Sequence, residues 1–255
     1  MPRPERLFKT QAIILRRYDY GEADRILTLL TPERGKLRAI AKGARKLTNR
    51  LSGHLELYSR VALVIAKGSD LHIISQAEQQ EAFLPLHSDL LRSAYAHYIV
   101  ELTDRFSEDE ETHTPLFSLL NAALGWLCAP EADLALAARY FELRLLRLSG
   151  FEPSLFACAV GQEPLTARDQ YFSASEGGVI CPEHTHGRAV QPLSLTALKV
   201  LRHMARAEYD AVRHLRLTPA LHAELERTLG GYLLHLLEHR LRSAEFVREL
   251  RARLL

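Results

Sequence analysis

Between residues 8 and 80, apolar positions come in short runs separated by turn formers, and no helical period is sustained between them. The pattern predicts strands over residues 10–17, 25–30, 36–41, 60–66 and 71–76. Thr31-Pro-Glu-Arg-Gly35 places Pro at the second turn position and Gly at the end, which suits a β-turn between the second and third strands. Lys67-Gly-Ser-Asp70 can serve as a hairpin connection between the fourth and fifth. Five short strands with a long link between the third and fourth predict a small closed barrel, of either the OB or the SH3-like kind.

From Pro85 the spacing changes. Leu86, Leu90, Ala94, Tyr98 and Leu102 recur near the helical period, and further helices are predicted over 114–128 and over 132–148, the latter ended by Gly150. Residues 151–192 lose that period and gain Gly, Pro, Cys and His, the mark of an inserted loop-rich lobe. Ser194 can cap a helix over 195–208. Thr218-Pro219 opens another that runs to about residue 242, with a kink at Gly230-Gly231. The expected organisation is α+β, with a barrel over 1–80, a helical domain over 81–150 and 193–255, and an insertion over 151–192.

Composition adds little until the charge is mapped. The 255 residues are 47% hydrophobic and 25% charged, ordinary values for a globular protein. Three cysteines, Cys128, Cys158 and Cys181, cannot build a disulfide framework, which points to a reducing cytoplasm. The N-terminus lacks the apolar run of a signal peptide and no stretch suffices for a bilayer, so no membrane role is expected. The net charge of +2 conceals a segregation: residues 1–60 hold 14 Lys/Arg and 6 Asp/Glu, whereas residues 81–133 hold 2 and 10. A basic first module beside an acidic middle implies that the first meets a polyanion.

That basic character concentrates in residues 34–50, where Arg34, Lys36, Arg38, Lys42, Arg45, Lys46 and Arg50 occur with no acid among them. Strand alternation puts Lys36 and Arg38 on one face and Leu37 and Ala39 on the other, and the Lys42-Gly-Ala-Arg-Lys46 loop extends the strip. Such a strip neutralises phosphates and releases counterions, which supplies affinity without reading sequence. Arg16 and Arg17 join it on charge alone. Tyr18, Tyr20 and Tyr58 are candidate stacking platforms, but the balance favours backbone binding over base contact.

The run Ile14-Leu-Arg-Arg-Tyr-Asp-Tyr-Gly-Glu-Ala-Asp24-Arg-Ile-Leu-Thr-Leu-Leu-Thr-Pro-Glu-Arg-Gly35, followed by Lys36 and Ala41-Lys-Gly-Ala-Arg-Lys46, resembles the opening of the RecO family. Gly53-His-Leu-Glu-Leu-Tyr58, Ile73-Ile-Ser-Gln-Ala-Glu78 and Leu237-Glu-His-Arg-Leu-Arg-Ser243 extend the likeness. The resemblance implies an N-terminal OB-fold, a helical domain and an embedded zinc-ribbon-like lobe. It also implies a non-enzymatic mediator of DNA repair that binds single- and double-stranded DNA and anneals complementary strands. The implied partners are the single-stranded-DNA-binding protein and RecR, with which it helps load RecA. Lys36, Lys42, Arg45 and Lys46 carry over as DNA-binding positions; Arg16, Arg17, Arg38 and Arg50 rest on charge.

The resemblance also implies two Cys-x-x-Cys pairs in the lobe, which many members of that family carry. Here the corresponding runs are Cys158-Ala-Val-Gly161 and Cys181-Pro-Glu-His184, with His186 nearby. Cys158, Cys181 and His184 remain candidate zinc ligands, but with Gly161 in a ligand position and His186 awkwardly close to His184, a degenerate lobe without cofactor is expected.

Two other readings compete. His235-Leu-Leu-Glu-His239 has the spacing of inverted zinc metallopeptidases, with Glu238 as base, although only 16 residues follow for a third ligand. An RNA-binding barrel is the other. Phosphate-binding loops, dinucleotide fingerprints and nucleophile elbows are absent from the sequence. Cys128 beside Trp126 and Leu127 reads as a structural thiol, and Glu108-Asp-Glu-Glu111 as a solvated loop.

Overall fold

Strand β1 (Leu7–Tyr20) is long enough to serve two neighbours. Its first half pairs with β4 (Arg60–Ala66), and its second half, from Ile13 on, pairs with β2 (Asp24–Thr31). With β3 (Gly35–Ala41) and β5 (His72–Glu81) it closes a barrel of order β1-β2-β3-β5-β4 in the computed structural model, which describes residues 7–46, 48–109 and 111–254. The single parallel pairing, β3 on β5, with the 42–59 connection between β3 and β4, gives the OB-like arrangement rather than a simple meander. A register shift between Ile14 and Arg16 bends β1 where it passes from one partner to the other.

Alternation fills the barrel. Ala12, Ile14, Leu27, Leu29, Leu37, Ala39, Val61, Leu63 and Ile65 point inward and are all but inaccessible, and Ala44, Leu51 and Leu55 of the 42–59 connection join the same core. Strand β5 outruns its apolar pattern: the polar run 78–81 stays in the ladder because Arg60, Val61 and Ala62 supply backbone partners. Pattern alone ends a strand where side chains stop alternating, whereas pairing does not.

Helices α1 (Pro85–Ser88), α2 (Leu90–Phe106) and α3 (Thr114–Cys128) fold with the barrel as one unit, Met1–Ala129. Asp89 and His113 cap α2 and α3, and Arg92 donates to the terminal carbonyls of Leu127 and Ala129 (2.8 Å for the latter). Thr112 and Thr114 donate to the carbonyls of Glu33 (2.7 Å) and Pro32 (2.8 Å), fastening this segment to the β2–β3 turn. Gly35 sits at φ +58, and a Cβ there would lie 1.9 Å from the Glu111 carbonyl oxygen, so only glycine fits. Segment 81–129 therefore groups with the barrel, not with the later helices as the helical period suggested.

The second unit, Pro130–Leu255, contains α4 (Leu134–Leu148), α5 (Leu195–Arg206), α6 (Tyr209–Val212), α7 (Pro219–Leu237) and α8 (Arg242–Leu254). Helix α4 is buried nearly all round and packs on α5 and α7. It ends at Ser149 and Gly150 (φ +79), with the Phe151 N–H closing on Leu146 O at 2.8 Å. Between α4 and α5 lies a small sheet of β6 (Gln170–Ser173), β7 (Gly178–Ile180) and β8 (Gln191–Leu193), with β6 central. Helix α7 runs through Gly230 and Gly231 without a break but stops at Leu237, where Glu238 turns left-handed at φ +57. The helix expected to run to about residue 242 ends five residues short, and α8 begins at Arg242.

The start of α4 titrates with the fold. Asp133 caps it by accepting from the Leu136 N–H at 2.9 Å, and its carboxylate lies 3.1 Å from His222 Nε2. Burial opposes its ionisation, but hydrogen bonds from His222 and the Leu136 and Ala135 N–H groups outweigh burial and hold its pKa below the usual aspartate value. A depressed folded pKa gives stability that is complete above about pH 4 and is lost as pH falls through the lower folded value. Asp133→Ala is expected to lower stability by about 1 kcal/mol at neutral pH. The gap from wild type should narrow in urea titrations below about pH 4. A gap that is constant with pH would show that the charge contributes nothing.

Candidate nucleic-acid interface

Directly opposed residues of antiparallel strands share a face, so the register of β1, β2 and β3 defines rows across the outside of the barrel. Arg16, Thr28 and Arg38 form one row and Tyr18, Ile26 and Ile40 the next, with Tyr20 beyond, opposite Asp24. Tyr18 and Tyr20 are 53% and 56% exposed, and Arg38, two strands away on the same face, is exposed as well. Tyr58, the third aromatic candidate, is buried, with its ring tilted against His87.

Towards the other end of this face Leu30 is fully covered and Lys36 is committed to the fold. Its ammonium donates to the carbonyls of Asp104 (3.0 Å) and Ser107 (2.8 Å) at the end of α2 and lies 3.5 and 3.6 Å from the carboxylates of Asp104 and Asp109. Lys36 thus acts as a cap for α2, a role its charge alone could not reveal. Arg16 pairs with the same Asp104 and donates to the Tyr18 hydroxyl at 3.3 Å. Arg17 stands on the opposite side of β1, in line with Leu27 and Ala39, and pairs with Glu56, which also lies 3.6 Å from Arg25. Adjacent residues on a strand cannot line one surface, so Arg16 and Arg17 separate.

The loop after β3 is a chain of pinned turns. The Gly43 N–H donates to Asp24 Oδ1 at 2.7 Å, the Arg45 N–H to Ala23 O at 2.9 Å, and Asn49 bridges Lys42 O (3.0 Å) and the Leu51 N–H (2.9 Å). The Arg45 guanidinium lies 3.4 Å from Asp19 and donates to the carbonyls of Gly21 and Glu22, so it fastens the loop to the β1–β2 turn. Lys42, Lys46 and Arg50 are left exposed and, with Arg38, make no ion pair among the described residues. The exposed cations are therefore Arg38 on β3 and Lys42, Lys46 and Arg50 in a loop fastened to the β1–β2 turn, the turn that follows Tyr20.

The lobe brings together residues far apart in sequence. The turn from Cys158 to Glu163 closes with Cys158 N–H on Glu163 O (2.9 Å) and Gln162 N–H on Cys158 O (2.9 Å), with Gln162 left-handed at φ +63. The 182–184 turn after β7 carries His184, whose Nδ1 lies 3.3 Å from Cys158 Sγ and 3.1 Å from Cys181 Sγ. Glu163 completes the group, 3.0 Å from Cys181 Sγ and 3.4 Å from His184 Nδ1. Burial opposes ionisation of the Cys158 thiol, but N–H groups of Cys181, Gly161 and Val160 and the His184 ring bring its pKa down to about 7. Burial and the hydrogen bond to Glu163 push Cys181 up to about 12. His186 is exposed and stands outside the cluster. A tetrahedral zinc needs four N, O or S donors about 3.3–3.8 Å apart, so a donor set of this spacing fits a structural zinc.

A model described as recombination protein O N terminal matches residues 6–83, and one described as recombination protein O C terminal matches residues 87–245. The chain belongs to the recombination protein O family. Proteins named DNA repair protein RecO are 42% identical over 250 residues in Roseiflexus sp. (strain RS-1), covering 97% of this chain and 87% of that one. Those of Dehalococcoides mccartyi (strain ATCC BAA-2266) and Symbiobacterium thermophilum are 37% and 36% identical, covering 91% and 96% of this chain and 91% and 98% of theirs.

Other candidate chemistry in this RecO-family chain loses its geometric basis. His235 lies in the last turn of α7 and His239 beyond the left-handed Glu238, so the two histidines do not share a helix face. Among the described residues, the one grouping of three or more metal-capable side chains is Cys158, Glu163, Cys181 and His184. Cys128 is half-buried, and burial pushes its thiol pKa up, away from reactivity. In the acidic 108–111 run, Asp109 faces Lys36, while Glu110 lies outside the described residues.

Proposed function

We propose that this RecO-family chain is a non-enzymatic mediator of DNA repair and homologous recombination. It binds single- and double-stranded DNA on the β1–β2–β3 face and anneals complementary strands. With RecR it helps load RecA onto DNA covered by the single-stranded-DNA-binding protein. The observation that carries this reading is the combination of exposed cations at Arg38, Lys42, Lys46 and Arg50, without an ion pair among the described residues, and the exposed rings of Tyr18 and Tyr20. The repair role is supported by relatives that bear the name DNA repair protein RecO. The reading takes the chain to act in the cytoplasm, and none of its described helices is long and apolar enough to cross a membrane.

The physics divides the work between the two residue types. Fixed ammonium and guanidinium groups replace condensed counterions on the phosphates, which supplies affinity indifferent to sequence and lowers the repulsion between two strands held against one surface. Exposed rings can stack unpaired bases but not the bases of an intact duplex, so they favour single strands. The lobe takes no part in chemistry. Cys158, Cys181 and His184 would hold a structural zinc, which would cross-link its two turns.

The test is strand annealing and DNA binding by Tyr18→Ala/Tyr20→Ala. Losing two stacks at about 1 kcal/mol each lowers single-strand affinity about 30-fold and slows annealing, with duplex affinity nearly unchanged. Equal losses on both substrates would remove the stacking role. Tighter binding of RNA than of DNA in direct competition would favour an RNA-binding barrel instead.

A further inference from the structure

We propose that Glu163 supplies the fourth ligand to a zinc ion held by Cys158, Cys181 and His184, in the space that Gly161 leaves open. The inference rests on the zinc reading of the lobe and goes beyond it in assigning a carboxylate where a third sulfur would otherwise stand.

The donor atoms Cys158 Sγ, Cys181 Sγ, His184 Nδ1 and a Glu163 carboxylate oxygen all lie within 4.8 Å of one another. Four of the edges are Cys158–His184 3.3 Å, Cys181–His184 3.1 Å, Cys181–Glu163 3.0 Å and His184–Glu163 3.4 Å. Zinc bonds of about 2.0–2.3 Å to O, N and S donors in tetrahedral array call for edges only slightly longer. The backbone already serves such a site, since the Gly161 N–H donates to Cys158 Sγ at 3.4 Å.

Gly161 and Glu163 depend on one another. A Cβ at position 161 would stand 1.9 Å from Glu163 Oε2 and 2.4 Å from His184 Cε1, so any side chain there displaces the carboxylate from the donors. Loss of the sulfur at 161 is thereby coupled to entry of oxygen from 163, two residues on across the left-handed Gln162. The other nearby carboxylate, Glu183, also hydrogen-bonds the Cys181 thiol, but it accepts from Arg168 Nη2 at 2.5 and 2.7 Å and stands outside the group of four donors. Glu163 has no arginine or lysine partner among the described residues. The lobe also needs a cross-link, because its strands are four, three and three residues long and its local core is Cys158, Ile180 and Cys181 with a few partly covered neighbours.

The experiment measures zinc content, zinc affinity by chelator competition, and thermal stability of the full chain and its Glu163→Ala, Glu163→Gln and Gly161→Cys/Glu163→Ala variants. Cobalt-substituted protein is read by absorption. Wild type is expected to carry one zinc per chain and to show tetrahedral cobalt bands with charge transfer from two thiolates. Glu163→Ala should bind zinc at least about tenfold more weakly, and the double variant should regain affinity with charge transfer from three thiolates. A wild-type chain that neither retains zinc nor is stabilised by it overturns the zinc reading itself. Stoichiometric zinc with equal affinity in wild type and both single variants overturns Glu163 alone. Should Glu163→Ala fail to fold, the wild-type cobalt spectrum decides: three or more thiolate-like donors, or none, exclude the assigned set.

Discussion

Replacing Lys42, Lys46 and Arg50 together by glutamate is expected to weaken single-stranded DNA binding on the order of 100-fold at about 50 mM salt. The slope of log affinity against log salt should shrink by about 2, the counterions released by three phosphate contacts on a single strand. These residues are chosen because they are exposed and make no ion pair among the described residues, so their full charge is available to phosphate. The loop that carries them is anchored by backbone and by Ala44, Leu51 and Leu55, none of which the variant touches, so the fold should persist. Lys36→Met is the contrasting case. It removes a half-buried ammonium from two carbonyls and two carboxylates, so about 2 kcal/mol of stability is expected to go while the folded fraction binds DNA as before. A triple variant that binds with the wild-type salt slope, or a stable Lys36→Met that has lost DNA binding, would place the interface elsewhere.

That contrast marks the limit of what charge reveals in a sequence. Seven cations between 34 and 50 announce a polyanion surface, and strand alternation correctly sets Arg38 outward over a core of Leu37 and Ala39. Nothing local to Lys36 says that the end of α2, some seventy residues later, will present two carbonyls to it. Arg16 and Arg17 look equivalent until the bulge in β1 sets the register, after which one faces outward and the other meets Glu56. The barrel was legible because its strands alternate and its turns use Pro and Gly where geometry needs them; the Arg60–Ala66 strand falls as the pattern predicts. Helix ends were legible where a cap is written, as at Thr218-Pro219 and Gly150, and not at Leu237, where Glu238 adopts the left-handed conformation without being glycine. Glu163 escapes the ligand pattern because it lies outside the Cys-x-x-Cys spacing. The signal that could have found it is the glycine at 161, which removes a ligand and makes room for another two residues on.

The largest stability effect is expected from Glu142→Leu in α4. Glu142 is fully buried and its Oε1 lies 2.5 Å from Arg139 Nη2, one helical turn back, where Arg139 is 7% exposed. Arg139 also approaches Glu226 of α7 at 4.0 Å, and Glu226 accepts from Arg251 of α8 at 2.8 Å and lies 3.8 Å from Arg248. Three helices of the second unit thus meet through alternating charges. Removing Glu142 takes the nearest counter-charge from a guanidinium in a low-dielectric interior, which costs about 3–5 kcal/mol, a large share of the 5–15 kcal/mol typical of a domain. The urea midpoint should fall accordingly. Arg139→Met/Glu142→Leu removes both charges and fills the space with apolar groups, and should recover most of the loss, because desolvating the pair roughly offsets its attraction. If the double variant is as unstable as Glu142→Leu, compensation between the two charges is not what the pair contributes. The stabilising contact would then be the longer chain from Arg139 through Glu226 to Arg251, which Glu226→Gln would test by loosening α8 while leaving the buried pair in place.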